Sequence, residues 1–272
     1  MLNIQGVDIH IEGKGPETLL MLHGWPDTLA LWNDTVVALR DTHQCVRFTL
    51  PAFDVNAPLP PKSLLEMVAF IHEVVQQVSP QKPVTLVLHD WGCVFGYEYA
   101  ATYPERVSRM VAVDVGDHNS RALNASLSAK AKWAVFSYQI WLALAWQIVN
   151  FLGAFGRPLA NTMTRYMAKA LRCPSPLAEM HVGMNVPYTM KWLGTLEGFG
   201  LACNALKILP TARPMLYIYG KRKPFMFHSD RWLEKIAAYP GSRVEGFDTG
   251  HWVMSAKPAQ FNALLQAWLR ST

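Results

Sequence analysis

Short apolar runs alternate with amphipathic segments over the first and last thirds of the chain. Continuous apolar runs predict strands that are buried on both faces; they cover 19–22, 45–50, 84–88, 110–113 and 215–219, with a shorter strand near 243–246. Apolar residues at helical spacing predict helices; these cover 63–78, about 92–103, about 229–238 and the residues from 258 onward. This alternation predicts an α/β protein whose parallel sheet carries helices on both faces.

The middle of the chain follows a different pattern. From about 119 to 207 the spacing is helical throughout, and no strand-like run interrupts it. We interpret this stretch as a helical cap inserted after the strand at 110–113. The predicted organisation is a core of 1–118 and 208–272 with a cap of 119–207.

One part of this stretch has the length of a membrane span. Residues 133–156 include no charged side chain, and about 20 apolar residues suffice to cross a bilayer. Polar residues interrupt the run, among them Ser137, Gln147 and Asn150. We therefore predict a buried or pocket-lining helix, with membrane contact or an exposed hydrophobic surface as the alternative.

Composition narrows the class of protein. The chain has 272 residues, of which 51% are hydrophobic, so it can bury one large core. The formal net charge is +5, and the 25 basic residues are scattered along the chain. Without a basic stripe or a known motif we expect no nucleic-acid partner. The four cysteines lack metal-ligand spacing, and residues 1–5 lack the basic start of a signal peptide. We expect free thiols, a cytoplasmic protein, and a monomer or homodimer.

Asp90 is the candidate nucleophile. It stands where the apolar run 84–88 stops and a helical segment follows. A carboxylate on such a strand–turn–helix elbow can attack an electrophilic sp³ carbon and form an ester. Capping the helix is the alternative role, since Asp is a favoured N-cap residue.

Three short motifs together resemble the α/β-hydrolases that use an aspartate nucleophile, the epoxide hydrolases and haloalkane dehalogenases. His-Asp-Trp-Gly at 89–92 resembles their elbow, and His-Gly-Trp-Pro at 23–26 is similar to the HGxP motif of epoxide hydrolases. Thr-Gly-His-Trp at 249–252 resembles the late motif that carries the catalytic histidine. The resemblance implies an α/β-hydrolase fold, with a mostly parallel central sheet, helices on both faces and an inserted helical cap.

The resemblance also implies roles for residues around Asp90. His251 would be the general base, because an imidazole can activate water near neutral pH. The backbone N–H groups of Trp25 and Trp91 would form the oxyanion hole. The loop residues His23, Gly24 and Pro26 would support it. Pro26 would fix the backbone of the loop, with a cis peptide bond as one option.

The acid that orients His251 departs from the common epoxide-hydrolase pattern. Where that family places an acid after the strand 215–219, this chain has Lys223, and a lysine would repel an imidazolium. Asp114 ends the apolar run 110–113, as in haloalkane and fluoroacetate dehalogenases, and is the preferred candidate. Asp117 stays open as a competitor, and both carboxylates could instead cap the turn.

Two tyrosines in the predicted cap complete the set. In epoxide hydrolases two cap tyrosines bind the ring oxygen. The residues around Tyr138 and Tyr188 resemble those around these two tyrosines. Tyr166 is a reserve candidate, and core packing is the alternative for each.

The function expected from these residues is hydrolysis of a small hydrophobic epoxide to a vicinal diol, without a metal or another cofactor. A dehalogenase with the same nucleophile is the second hypothesis; Asp114 favours it, and Trp25 and the tyrosine pair oppose it. A non-catalytic ligand-binding protein is the third, supported by Lys223. Membrane contact is not expected.

Overall fold

A computed structural model describes residues 1–56, 59–118, 120–197 and 213–272. The described residues form eight strands and ten α-helices. The strands are β1 (Leu2–Ile4), β2 (Val7–Glu12), β3 (Thr18–Leu22), β4 (Gln44–Arg47), β5 (Val84–His89), β6 (Val107–Val113), β7 (Met215–Gly220) and β8 (Arg243–Phe247). The helices are α1 (Asn33–Leu39), α2 (Leu64–Val78), α3 (Trp91–Thr102), α4 (Arg121–Ser126), α5 (Ala129–Leu152), α6 (Arg157–Ala170), α7 (Val186–Glu197), α8 (Asp230–Ala237), α9 (Val253–Ala256) and α10 (Pro258–Ser271).

The eight strands form one sheet in the order β1-β2-β4-β3-β5-β6-β7-β8. From β4 to β8 every neighbouring pair is parallel, whereas β1 with β2 and β2 with β4 are antiparallel. This is the predicted α/β-hydrolase fold, with a mostly parallel sheet and an inserted helical region. The carboxyl ends of β5, β6 and β7 meet at one edge, where ligands bind in open α/β sheets.

Alternate residues of the central strands pack against helices on opposite faces of the sheet. Leu20, Leu86 and Leu88 belong to the apolar core that includes Phe70 of α2 and Phe95 of α3. Leu19, Met21 and Val87 belong to the core that includes Trp32, before α1, and Phe261 of α10. Both faces are therefore covered, which is why these strands are continuous apolar runs.

Two differences from the predicted elements have simple causes. Strand β4 ends at Arg47 rather than continuing to residue 50, because the Leu50 N–H bonds to the His23 ring and the chain turns away there. The antiparallel pair β1–β2 was not predicted, because its apolar positions alternate with polar ones instead of forming a continuous run. Val7 and Ile9 are buried, and Asp8 between them is exposed.

The inserted region between β6 and β7 contains α4 to α7. Residues 119 and 198–207 of the predicted cap lie outside the described residues, as does Cys203, so the boundaries 119–207 stay a prediction. The described cysteines Cys45, Cys93 and Cys173 are free.

Helix α5 fits both alternatives in part, since Ala134 and Tyr138 line a cavity while its other side is an exposed hydrophobic surface. Leu142, Ala143 and Ala145 are buried, but Trp133 and Leu144 on the opposite side are exposed. Only 22% of the most apolar window of 129–170 is buried. The absence of charge along this stretch did not reveal that only one face of α5 packs inward.

Candidate active site

Asp90 lies on a strained turn between β5 and α3. Its φ of 52° and ψ of −121° are sparsely populated for a residue with a side chain, and such strain is concentrated at functional sites. Asp90 occupies the N-cap position, but its side chain makes no capping hydrogen bond. The backbone around it is closely packed, because a Cβ at Gly24 would collide with the Asp90 side chain and the Trp91 nitrogen. The turn therefore presents the carboxylate outward instead of using it as a cap.

The loop 23–26 contacts this carboxylate through its backbone. The Trp25 N–H donates to Asp90 Oδ1 at 2.8 Å, and the Trp25–Pro26 peptide bond is cis. Trp91, the other expected oxyanion donor, is the first residue of α3, so its N–H has no acceptor within the helix. Both N–H groups thus lie beside Asp90.

His23 holds the loop from below. Its Nε2 accepts the Leu50 N–H at 2.9 Å, so Nδ1 carries the proton and donates to Gly24 O at 3.0 Å. Burial lowers the pKa of His23 to about 4, which keeps the ring neutral at physiological pH. The structure thus places His23 in the predicted supporting position.

His251 lies between two carboxylates. Its Nε2 is 3.4 Å from Asp90 Oδ2, and its Nδ1 is hydrogen-bonded to Asp114 Oδ2. Asp114 follows β6 and is buried, whereas Asp117 bonds to the Ser229 backbone N–H and hydroxyl at 2.8 and 2.6 Å. Asp114 therefore reaches the histidine ring, and Asp117 anchors the start of α8.

The opposite charges of His251, Asp90 and Asp114 stabilise each other's ionised forms. Burial alone would lower the pKa of His251, but the carboxylates of Asp114 and Asp90 outweigh it and raise that pKa to about 9. Burial would raise the pKa of Asp90, but His251 and the Trp25 N–H hold it below its usual value. At neutral pH the site therefore contains an imidazolium between two carboxylates.

Lys223 occupies an unexpected position. Its Nζ pairs with Asp114 Oδ1, the oxygen that also accepts the Gly220 N–H at 3.0 Å, while His251 uses Oδ2. Burial would raise the pKa of Asp114, but Lys223 and His251 together lower it. The lysine at the usual acid position therefore contacts the relocated acid and leaves the His251 contact intact.

Tyr138 and Tyr188 both line a cavity of about 1000 Å³ that also exposes Asp90 and His251. Tyr138 comes from α5 and Tyr188 from α7, and their ring centroids are 5.9 Å apart. Burial, and with it the Asp90 charge, raises the pKa of both hydroxyls, which keeps them protonated. Tyr166, the reserve candidate, is exposed and packs on Trp141 instead.

Two amides that orient cavity residues were not predicted. Gln139 Nε2 donates to the Tyr138 oxygen at 3.0 Å, and Gln139 Oε1 accepts the Trp192 indole N–H at 3.1 Å. Asn185 accepts the Trp25 indole N–H at 3.0 Å and is itself buried. In the sequence Gln139 is an isolated polar residue in an apolar helical segment, so no local pattern marked it. Asn185 belongs to the local context that marked Tyr188, but no role of its own was predicted for it.

Asp27, directly after the loop 23–26, was also missed. It is buried and accepts hydrogen bonds from Ser175 Oγ at 2.5 Å and Trp252 Nε1 at 2.9 Å, with His89 Nδ1 at 3.7 Å. Burial raises the pKa of Asp27 to about 6. The sequence feature that could have identified Asp27 is its position directly after the His-Gly-Trp-Pro motif.

Within the described residues, no group of three or more His, Cys, Asp or Glu is arranged to hold a metal ion.

Comparison with known proteins establishes the family. The model of the α/β hydrolase fold family matches residues 17–258, so the chain belongs to this family. An epoxide hydrolase from Bacillus megaterium, in complex with a naphthyloxy-propanediol product, has a similar structure. The TM-score is 0.71 and the identity 22%, over 98% of this chain and 99% of that one. At this identity the likeness shows the fold alone.

Two curated relatives match part of the chain. The cis-3-alkyl-4-alkyloxetan-2-one decarboxylase of Shewanella oneidensis is 34% identical over 113 residues, covering 39% of this chain and 34% of that protein. Epoxide hydrolase 1 of Caenorhabditis elegans is 23% identical over 149 residues, covering 51% of this chain and 36% of that protein. These matches span about a third of each relative's length.

Proposed function

We propose that the protein is an epoxide hydrolase that opens a hydrophobic epoxide to a vicinal diol. The observation that carries this proposal is the placement of two groups of opposite chemistry around one cavity. Asp90 and His251 lie on the sheet side, and the protonated hydroxyls of Tyr138 and Tyr188 come from the inserted helices. An epoxide needs a nucleophile at carbon and a proton donor at oxygen, and this arrangement supplies both.

Ring opening would form an ester. The Asp90 carboxylate attacks an epoxide carbon, the carbon–oxygen bond of the ring breaks, and the ring oxygen takes a proton from Tyr138 or Tyr188. Gln139 donates to the Tyr138 oxygen, so the hydroxyl proton of Tyr138 is free to be donated elsewhere. That bond orients Tyr138 as a donor.

Hydrolysis would follow because alkylation changes the charge around His251. Once Asp90 is an ester, one of the two carboxylates that raise the pKa of His251 is neutral, so that pKa falls. The imidazolium returns a proton to the tyrosinate, and the neutral ring then takes a proton from water as the hydroxide attacks the ester carbonyl. The Trp25 and Trp91 N–H groups stabilise the oxyanion, and the departing alkoxide takes the proton from His251. The Asp90 carboxyl group, which is protonated after the diol leaves, then gives its proton to the neutral ring and restores the resting site.

The rival hypotheses receive less support. A dehalogenase needs donors for the halide, but the Trp25 indole N–H is already bonded to Asn185. The non-catalytic hypothesis rested on Lys223, which pairs with Asp114 and preserves the contact of Asp114 with His251.

A second candidate substrate is a dialkyl oxetan-2-one. The partial match to the Shewanella decarboxylase favours it, since an oxetanone is another strained, neutral oxygen ring that a carboxylate can attack. Carbon dioxide release from a cis-dialkyl oxetan-2-one, without diol formation from epoxides, would select this reaction.

The test is turnover of a panel of epoxides that includes styrene oxide and long-chain alkyl epoxides. We expect the parent protein to form diols, and His251→Gln to accumulate an adduct on the peptide containing Asp90, detected by mass spectrometry. Asp90→Ala should show neither diol nor adduct. A folded parent without diol, together with His251→Gln without adduct across the panel, would refute the proposal.

A further inference from the structure

The inserted region presents large apolar side chains to solvent. Twelve of the seventeen exposed large hydrophobic residues among the described residues fall within 133–192. Phe155, in the short turn between α5 and α6, is 95% exposed, and Phe151 is 84% exposed. We call the exposed apolar side of these two helices the α5–α6 face; its members are Trp133, Trp141, Leu144, Phe151, Leu152, Phe155, Leu159 and Tyr166.

The α5–α6 face is continuous. Trp133, Leu144 and Phe151 follow one another by 11 and 7 residues, which at 3.6 residues per turn places them on one side of α5. Trp141 of α5 contacts Tyr166 of α6, with ring centroids 5.9 Å apart, so the surface extends across both helices. Exposed apolar patches of this kind mark interaction sites.

The segment that carries this face has charges of one sign. From residue 118 to residue 178 the chain has no Asp or Glu. The same stretch contains seven cations, namely Arg121, Lys130, Lys132, Arg157, Arg165, Lys169 and Arg172. The whole chain has 25 basic and 20 acidic residues, so the rest of it carries 18 against 20. The net positive charge of the protein therefore arises from the segment that bears the α5–α6 face.

We propose that the α5–α6 face binds the surface of an anionic lipid bilayer. Unopposed cations beside exposed aromatic and aliphatic side chains are the features of a helix that lies in a membrane interface. The opposite side of α5 is packed into the protein through Leu142 and Ala143, so α5 lies along the bilayer and does not cross it. This replaces the expectation that the protein makes no membrane contact.

A second copy of the chain is a poorer occupant. A symmetric dimer through this face would bring the same patch of both subunits together, and with it seven cations from each. An anionic lipid surface satisfies the apolar and the charged parts of the face at once. The face also lies beside the cavity, because Ala134 of α5 and Arg172, which follows α6, both line it.

The experiment is co-sedimentation of the full chain with phosphatidylcholine vesicles, with and without phosphatidylglycerol. We expect binding to the anionic vesicles that weakens with salt. Phe151→Ser/Phe155→Ser should weaken it about tenfold or more, because two largely exposed phenyl groups lose their insertion into lipid. Lys130→Gln/Lys132→Gln should weaken it by about fivefold per charge at low salt.

Leu65→Ser is the matched control. Leu65 is 71% exposed on α2, away from the inserted region, so its replacement removes a similar apolar group and should leave vesicle binding unchanged. A parent protein that stays in the supernatant with anionic vesicles would overturn the proposal. So would light scattering that shows a dimer for the parent and a monomer for Phe151→Ser/Phe155→Ser, since a second copy would then cover the face.

Discussion

Replacing Lys223 with methionine is predicted to move the pH dependence of ester hydrolysis. Lys223 and His251 contact different oxygens of the Asp114 carboxylate. Lys223→Met removes a cation beside His251 while keeping a side chain of similar length. The imidazolium then faces Asp114 without a competing cation, so the pKa of His251 rises in the alkylated enzyme.

The size of the displacement follows from this geometry. Two cations on the two oxygens of one carboxylate have nitrogens roughly 5 Å apart. At an effective dielectric constant of about 20 their repulsion is ~3 kcal/mol, or about two pKa units. Water in the adjoining cavity screens part of this repulsion, and we expect an upward displacement of about one unit. Since the base must be neutral, the acid limb of the rate profile moves to higher pH by the same amount.

The assay is single-turnover hydrolysis of the Asp90 ester, followed by quenching and mass spectrometry over a range of pH. Lys223→Arg keeps the charge and should retain the parent profile. Lys221→Met removes an exposed lysine two residues earlier and serves as the matched control. An acid limb that stays in place or moves to lower pH in Lys223→Met would refute the reasoning.

Three further substitutions test other parts of the site. Gly24→Ala forces a Cβ against Asp90 and should lower kcat/KM about a hundredfold. In Gly250→Ala the added Cβ has no atom within 4 Å, so the melting temperature should be unchanged. Gln139→Glu keeps the acceptor for Trp192 but cannot donate to Tyr138, so the rate of ester formation should fall about tenfold or more while ester hydrolysis is unchanged. Burial raises the pKa of Asp27 to about 6, so the folded state binds more protons than the unfolded state between about pH 4 and 6 and loses stability as the pH rises. In urea unfolding, the free energy of unfolding of Asp27→Asn should therefore increase by about 1–3 kcal/mol relative to that of the parent over this pH range. A difference that stays constant with pH would contradict this.

Much of the fold was predictable because buried parallel strands are continuous apolar runs. The strands at 84–88 and 215–219 were found in this way and match β5 and β7 within one residue. The antiparallel pair β1–β2 was not, because half of its residues face solvent. Which side of α5 is exposed was not predictable either, since an uncharged stretch does not reveal which side a neighbouring helix covers.

Some residues of the site were predictable from their positions at the ends of predicted strands. Asp90 and Asp114 each end an apolar strand, and the structure brings both into contact with His251, as the sequence predicts; their catalytic roles stay a prediction. The contact of Lys223 with Asp114 joins residues 109 positions apart. The sequence alone indicated only repulsion between that lysine and the histidine, because the second oxygen of the intervening carboxylate becomes evident only in three dimensions.

The row Asp90, His251, Asp114 and Lys223 alternates in sign, so these four side chains carry no net charge in the resting protein. Esterification removes the charge of Asp90, and the proton that His251 gives to the tyrosinate keeps the row neutral. When His251 then takes a proton from water, the same four side chains carry an excess of one positive charge. This excess is present only while hydroxide and the tetrahedral oxyanion form. The four side chains therefore favour an anion at that stage of the reaction and not in the resting protein.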